Sequence, residues 1–183
     1  IADIIKQENK RIILIAAPSS SGKTSFAQRL SIHLKVNNLQ PVSISLDDYF
    51  VDREETPLDE FGDYNFESIY AINLDKFNKD LNDLLDGKEV TIPKFNFKEG
   101  RSNEGKKLKI NKNQPIILEG LHGLNPILTS SIPNKDKFKI YLSVLTQLNL
   151  DEHNRIPTTD LRLIRRIVRD NQFRGHDATR TIL

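Results

Sequence analysis

Short runs of apolar residues alternate with polar, turn-forming segments along most of the chain. Four runs are rich in β-branched residues and predict strands: about 11–17, 42–46, 114–120 and 138–144. The first and third contain continuous apolar stretches, as in strands buried on both faces. Helical spacing of apolar residues appears in three segments: 23–36, 73–86 and a segment that begins near residue 158. Strands and helices in this order predict an α/β fold, with a parallel sheet flanked by helices.

Two further patterns complete the predicted architecture. Residues 90–97 and 107–110 alternate apolar and polar positions around a Gly-containing turn, which predicts a β-hairpin inserted over residues 90–112. Phe95 and Phe97 share one face of this hairpin, either as core residues or as an aromatic wall for a flat ligand. Asn73 is a suitable N-cap for the helix before it, and Gly87 a suitable stop.

The first strand leads directly into a small polar turn and then a helix that begins with Gly22-Lys23-Thr24. Backbone N–H groups and a helix N-terminus in this arrangement surround a phosphate, as in a P-loop. Lys23 would reach the β- and γ-phosphates, and the Thr24 hydroxyl would ligate Mg²⁺. The predicted nucleotide-binding residues are Ala17, Ser19, Ser20, Ser21, Gly22, Lys23, Thr24 and Ser25. Ala17 replaces the usual leading glycine, which is tolerated unless a positive φ is required there.

Carboxylates follow two of the predicted strands. Asp47 and Asp48 end the second strand, and Glu119 ends the third. Because the carboxyl ends of parallel strands face the ligand crevice, one of the two aspartates should meet what the P-loop holds. Glu119 would face Mg²⁺ through water. His122, which comes soon after, is interpreted as a partly exposed turn histidine.

Residues 151–183 contain seven arginines and no lysine. On a helix, Arg162, Arg165, Arg166 and Arg169 fall within an arc of about 100°. The apolar residues occupy the opposite side: Leu161, Leu163, Ile164, Ile167 and Val168. We expect the apolar side to be buried in the core and the arginines to clamp phosphate, since the guanidinium fork suits bidentate contacts.

Composition limits the alternatives. A length of 183 residues fits one domain, and a formal charge of +2 with an acidic stretch at 52–67 disfavours a nucleic-acid partner. The lack of cysteine excludes disulfides and a thiol nucleophile, and fits a cytoplasmic protein without a membrane span. The chain has no initiating Met and ends on Thr181-Ile182-Leu183, so we expect a fragment of a longer protein. The sequence leaves open whether the protein forms a homo-oligomer.

These motifs, in this order, resemble the uridine kinase branch of the phosphoribulokinase/uridine kinase family over about residues 11–180. Besides the P-loop, the segments that carry the resemblance are 46–50, 64–67, 92–97, 118–120 and 162–175. The resemblance implies a P-loop NTPase fold with a lid over 161–180, and transfer of a phosphoryl group from ATP with Mg²⁺. The acceptor it implies is a small-molecule hydroxyl, most typically a nucleoside 5′-hydroxyl.

The resemblance also implies roles for single residues. Asp47 would take the acceptor's proton, with Lys23, Arg165 and Arg174 as the other catalytic residues. Thr24, Glu119 and Asp47 would lie around Mg²⁺. On the substrate side it implies the following residues: Asp47, Tyr49, Glu67, Phe95, Phe97, Arg101 and Arg162.

Three departures from the family pattern affect the acceptor. Phe95 stands where a Tyr is usual, the loop Lys98-Glu99-Gly100-Arg101 lacks the pyrimidine-reading His, and about 147–159 is an insertion. The insertion and the Ser-rich P-loop are similar to a bacterial subgroup with a fused threonyl-tRNA-synthetase-like N-terminal domain. The alternatives are therefore a kinase of another hydroxyl acceptor, such as a sugar phosphate or pantothenate, and a non-catalytic ATP-binding regulatory module.

Overall fold

The computed structural model describes residues 1–143, 148–175 and 177–182. The elements, in chain order, are α1 (Ala2–Gln7), β1 (Ile12–Ala16), α2 (Lys23–Val36), β2 (Val42–Ser45), α3 (Leu74–Leu85), β3 (Val90–Asn96), β4 (Arg101–Leu108), β5 (Ile116–Gly120), β6 (Lys137–Tyr141), β7 (Leu148–Asn149), β8 (Arg155–Ile156), α4 (Thr158–Arg169) and α5 (Ala178–Ile182). A π-helical turn, Asp170–Arg174, follows α4. None of the helices in the described ranges is long and apolar enough to span a membrane.

The main sheet is parallel, with the strand order β2-β5-β1-β6. In its register Glu119 lies beside Ile15 on one neighbouring strand and Ser45 on the other. The carboxyl ends of β1, β2 and β5 therefore meet at one edge, where the P-loop begins. The predicted α/β fold and its parallel sheet are confirmed.

The central strand β1 is buried on both faces, which explains why its sequence is apolar without alternation. Ile12 and Leu14 pack on the side of α3 and the hairpin. Ile13 and Ile15 pack on the side of α1 and α2. On β5 the same alternation places Glu119 on the face of Ile117, which packs with α2.

The predicted hairpin is present as the antiparallel pair β3–β4. Its second strand starts at Arg101 rather than at Lys107. The sequence did not indicate this earlier start, because nearly all of β4 is exposed and shows no apolar alternation. The helix before the hairpin is capped as predicted, with the Asn73 side chain accepting a hydrogen bond from the Lys76 N–H at 3.0 Å.

Two segments differ from the sequence interpretation. The fourth strand ends at Tyr141, and the predicted positions Val144 and Gln147 lie outside the described residues, as does His176. The insertion before α4 is not a simple linker, since β7 and β8 pair as a short antiparallel hairpin.

The prediction that the apolar side of α4 is buried in the core is wrong. Leu163, Ile164 and Val168 are 40%, 52% and 51% exposed, and no residue of α4 is fully buried. The helix instead turns Arg162 and Arg169 toward the P-loop. Because these arginines lie on the opposite side of the helix, the apolar side is left facing outward.

Candidate active site

The P-loop connects β1 to α2 through two left-handed backbone conformations. Ser20 has φ 57° and Gly22 has φ 89°, whereas Ala17 has no positive φ and is 2% exposed. The missing leading glycine is therefore compatible with the loop. The Ser20 and Ser21 hydroxyls are buried and have no hydrogen-bond partner among the described residues. Unpaired hydroxyls inside a turn at a helix N-terminus suit a phosphate group.

Lys23 reaches across this loop, and its Nζ donates a hydrogen bond to the Pro18 carbonyl at 3.2 Å. Burial lowers the pKa of Lys23, and the negative charges of Asp47 and Glu119 oppose that fall. The ammonium group is thus held between the phosphate loop and two carboxylates, as a cation serving the outer phosphates of a nucleotide should be.

Glu119 and Thr24 form the second pair of the site. The Thr24 hydroxyl donates a hydrogen bond to Glu119 Oε1 at 3.0 Å, and Glu119 is only 7% exposed. Burial raises the pKa of Glu119, while the hydrogen bond from Thr24 acts in the opposite direction. A buried carboxylate is costly without a nearby cation.

These oxygen donors fit magnesium. No cluster of three or more His, Cys, Asp or Glu suited to a metal occurs in the described part of the chain. Mg²⁺ commonly uses only one or two carboxylates, completing its shell with water and substrate phosphates. Thr24, Glu119 and Asp47 offer that kind of donor set at the P-loop.

The structure separates the roles of Asp47 and Asp48, which the sequence left as alternatives. Asp47 interacts electrostatically with Lys23, Glu119 and Arg174, the charged groups around the P-loop. Asp48 instead forms an ion pair with Lys94 of β3 at 3.0 Å. Asp47 is therefore the aspartate that faces the nucleotide side.

The arginines of α4 and its following turn occupy different parts of the site. Arg162 donates through Nε and Nη2 to the Ser19 carbonyl, both at 3.4 Å, and Arg169 donates through Nη1 to Ser19 Oγ at 2.8 Å. Arg162 thus contacts the P-loop, and its expected place on the acceptor side stays a prediction. Arg165 is exposed and makes no hydrogen bond or ion pair with another described residue, so the structure does not bring it into the site.

Arg174 faces the hairpin instead. Its guanidinium carbon lies 4.5 Å from the centre of the Phe97 ring, a cation–π arrangement. Burial lowers the pKa of Arg174, the neighbouring charge of Arg169 lowers it further, and the carboxylates of Asp170 and Asp47 oppose both.

Four phenylalanine rings form a contiguous cluster, which we call the phenylalanine wall: Phe50, Phe66, Phe95 and Phe97. Phe50 contacts the other three edge-on, at centroid distances of 6.0, 5.5 and 6.1 Å. Phe95 is 4% exposed, so it belongs to the core, whereas Phe97 is half-buried at the surface of the wall. The core alternative is thus confirmed for Phe95, and contact of Phe97 with a flat ligand stays a prediction.

Tyr49, expected on the substrate side, lies in the core of the structure. It is 1% exposed and packs edge-on against Phe77 at 5.1 Å. Its hydroxyl donates a hydrogen bond to the buried Asp80 at 3.1 Å. Burial, followed by the charge of Asp80, raises the pKa of the phenol. Tyr49 is a core residue.

The two remaining substrate-side residues, Glu67 and Arg101, are exposed. Glu67 adjoins the wall residue Phe66, and its backbone carbonyl lies 2.9 Å from His122 Nε2. His122 is a partly exposed turn residue, as predicted, and through this contact it also ties the segment around Glu67 to the end of β5. Arg101 pairs with Asn96 at the start of β4, at the hairpin turn.

Sequence reasoning also gave no role to Asp170, which is 2% exposed and surrounded by arginines. An aspartate after a run of arginines carries no distinctive signal, because the contacts depend on the π-helical turn that follows α4.

The fold and the site together define a P-loop nucleotide-binding protein. The phosphate loop follows the first strand of a parallel sheet, a Lys-Thr pair opens the next helix, and an acid ends a neighbouring strand. Known proteins give the family. The profile described as "Phosphoribulokinase / Uridine kinase family" matches residues 12–182, so the chain belongs to this family of kinases.

Individual relatives agree. A uridine kinase of Ligilactobacillus salivarius is 31% identical over 172 residues, which cover 92% of this chain and 71% of that protein. A putative fructose transport system kinase from Silicibacter superimposes with a TM-score of 0.64 at 15% identity, covering 99% of this chain and 85% of the other. A possible uridine kinase from Bacillus stearothermophilus gives 0.59 at 18% identity, covering 90% and 80%. The two structures support the fold.

Proposed function

We propose that this kinase transfers the γ-phosphoryl group of ATP to a hydroxyl of a small molecule, a nucleoside 5′-hydroxyl being the leading candidate. The observation that carries the proposal is the position of Asp47. Its charge acts on Lys23 and Glu119 at the P-loop, and it lies three residues before Phe50 of the phenylalanine wall. A base between a phosphate site and an apolar wall suits proton removal from an acceptor hydroxyl.

The chain's own residues supply most of what phosphoryl transfer requires. Such reactions depend on positioning and charge neutralisation more than on covalent catalysis. Lys23, Arg162 and Arg169 bond here to neutral oxygens of Pro18 and Ser19. Phosphate oxygens are stronger acceptors because they are charged, so we expect a nucleotide to take over these bonds. Magnesium held by Thr24 and Glu119 would offset further phosphate charge.

Among acceptors, nucleosides are favoured by the uridine kinases among the relatives. Another acceptor remains the second candidate, because the four rings of the phenylalanine wall carry no hydrogen-bonding group to read a base edge. Sugar phosphates and pantothenate would use the same Asp47 and P-loop with a different fit at the wall.

The test is ADP release from Mg·ATP, measured with uridine, cytidine, purine nucleosides, sugar phosphates and pantothenate in turn. Turnover with a nucleoside supports the leading candidate, and turnover with one of the others supports the second. The matched control is Lys23→Ala, which should lose activity with every acceptor. Tight binding of Mg·ATP without turnover on any acceptor would contradict both and favour a regulatory module.

A further inference from the structure

Asp170 is a buried carboxylate at the junction of α4 and the π-helical turn. Arg169 donates its Nε to Asp170 Oδ1 at 2.9 Å, and its Nη2 lies 2.7 Å from the same oxygen. The Nε atoms of Arg174 and Arg166 lie 3.5 and 3.6 Å from the carboxylate. One carboxylate, 2% exposed, is thus shared by three guanidinium groups. A carboxylate buried to this extent needs such partners.

Two of these arginines lead to opposite halves of the site. Arg169 reaches the P-loop, where its Nη1 donates to Ser19 Oγ at 2.8 Å. Arg174 reaches the phenylalanine wall, where it lies over Phe97. Asp170 is therefore one side chain away from the predicted phosphate site and one side chain away from the predicted acceptor site.

We propose that Asp170 is a positioning residue that orients Arg169 and Arg174 toward the transferred phosphoryl group and so couples the P-loop to the phenylalanine wall. This inference rests on the proposed kinase function. Asp170 itself touches neither the P-loop nor the wall, and acts through the two arginines.

The geometry explains how one carboxylate can do this. The hydrogen bond from Nε to Asp170 and the hydrogen bond from Nη1 to Ser19 fix the plane of the Arg169 guanidinium, and the carboxylate charge 2.7 Å from Nη2 holds it there. Arg174 is four residues on, across a π-helical turn that ends at Gly175 with φ 71°. Without the negative charge of Asp170, the two arginines would repel each other and lose these directions.

The test compares Asp170→Asn and Asp170→Glu with the wild type. Misplacing a positioning group by about 1 Å can cost roughly 100-fold in rate, so we expect kcat to fall about 10- to 100-fold in D170N and less in D170E, which keeps the charge. The KM for uridine should rise as Arg174 leaves Phe97, while the KM for Mg·ATP stays within about threefold. Asp160→Asn is the matched control, because Asp160 is exposed in the first turn of the same helix.

Folding defects are separated by the stoichiometry of Mg·ATP binding in calorimetry, which should stay near one per chain in both variants. A kcat for D170N within about twofold of wild type would overturn the proposal. The proposal would also be overturned if kcat fell in proportion to the binding stoichiometry, because the variant would then only have lost folded protein. If D170N is insoluble, D170E decides: a lowered kcat at full stoichiometry supports the proposal, and a wild-type kcat overturns it.

One readout does not depend on turnover. The Arg169 Nε–H is hydrogen-bonded to Asp170, so its exchange with solvent, followed by NMR, should be slow in the wild type and in D160N and faster in D170N. If the wild type phosphorylates no acceptor, the proposed function fails while this measurement still decides the arrangement around Asp170. Unchanged Arg169 exchange in D170N would overturn the inference alone.

Discussion

Replacing Asp47 by Asn tests the proposed function most directly, because it removes the base and keeps the side-chain shape. Loss of a general base typically costs 10²- to 10⁴-fold in rate, or about 3–5 kcal/mol of transition-state stabilisation. We therefore expect kcat for D47N to fall by at least about 100-fold.

The surroundings of Asp47 predict the effect on nucleotide affinity. Its charge interacts with two cations, Lys23 and Arg174, and with one carboxylate, Glu119. Neutralising Asp47 leaves both cations more available to phosphate oxygens and removes one negative charge from the site. Because Asp47 is also one of the proposed magnesium donors, its loss weakens the metal site while it frees the cations for phosphate. These two effects oppose each other, so the KM for Mg·ATP should change little and the loss should appear in kcat.

Asp48→Asn is the matched control, since it changes the neighbouring residue in the same way. Asp48 pairs with Lys94, whose side chain is 70% exposed, and exposed ion pairs contribute only about 0.2–1 kcal/mol. D48N should therefore keep kcat within about twofold of wild type. Both variants are assayed by coupled ADP release at saturating Mg·ATP with the acceptor that the wild type uses. A D47N rate within tenfold of wild type, or a larger loss in D48N, would refute the assignment of the base.

Three further predictions concern single contacts. Tyr49→Phe removes the hydrogen bond to Asp80 and should lower the free energy of unfolding in urea by roughly 1.5–3 kcal/mol, with kcat and acceptor KM unchanged. A raised acceptor KM would show that Tyr49 contributes to acceptor binding. His122→Ala frees the segment around Glu67 and should raise the acceptor KM more than it lowers kcat, whereas equal KM values would show that the contact has no role in acceptor binding. Burial raises the pKa of Glu119, so its ionised form destabilises the fold as pH rises through the ordinary carboxyl range. Glu119→Gln should therefore raise Tm at pH 7 in EDTA, lose that advantage in acid and abolish magnesium-dependent turnover. A lower Tm at pH 7 would contradict this.

The features that could be predicted from the sequence are those determined by neighbouring residues. The strands β1 and β5 are continuous apolar runs because both faces are covered, and the P-loop is recognisable because Gly22 and the Lys-Thr pair follow a strand directly. Glu119 and the Asp47-Asp48 pair could be placed at one edge because parallel strands end together. Which aspartate faces the nucleotide depended on the direction of a single turn, Leu46–Tyr49, and no pattern in the sequence specifies it.

The features that could not be predicted from the sequence depend on contacts between distant residues. Tyr49 was assigned with its motif, yet its hydroxyl bonds to a residue 31 positions away. His122 contacts a carbonyl 55 positions away. For α4, the spacing of the residues correctly predicted one apolar face and one arginine face, but it did not determine which of them lies against the rest of the protein. The usual preference for burying the apolar face was reversed because Arg162 and Arg169 find oxygens of Ser19, and Arg169 a buried carboxylate, on the inner side.

The two halves of the site differ in how sharply they can discriminate. On the nucleotide side, Lys23 and the arginines are matched to charged oxygens, and groups built for hydrogen bonding reject molecules that lack the partner strongly. On the acceptor side, the phenylalanine wall offers only shape, and an apolar pocket distinguishes similar ligands by about 10- to 200-fold at most. Under the proposed function, we expect polar selection of the acceptor to come from Asp47 and Glu67, because carboxylates accept hydrogen bonds from hydroxyl groups. We therefore expect this kinase to select its acceptor by the arrangement of hydroxyls next to the P-loop more than by the identity of the ring that lies against the wall.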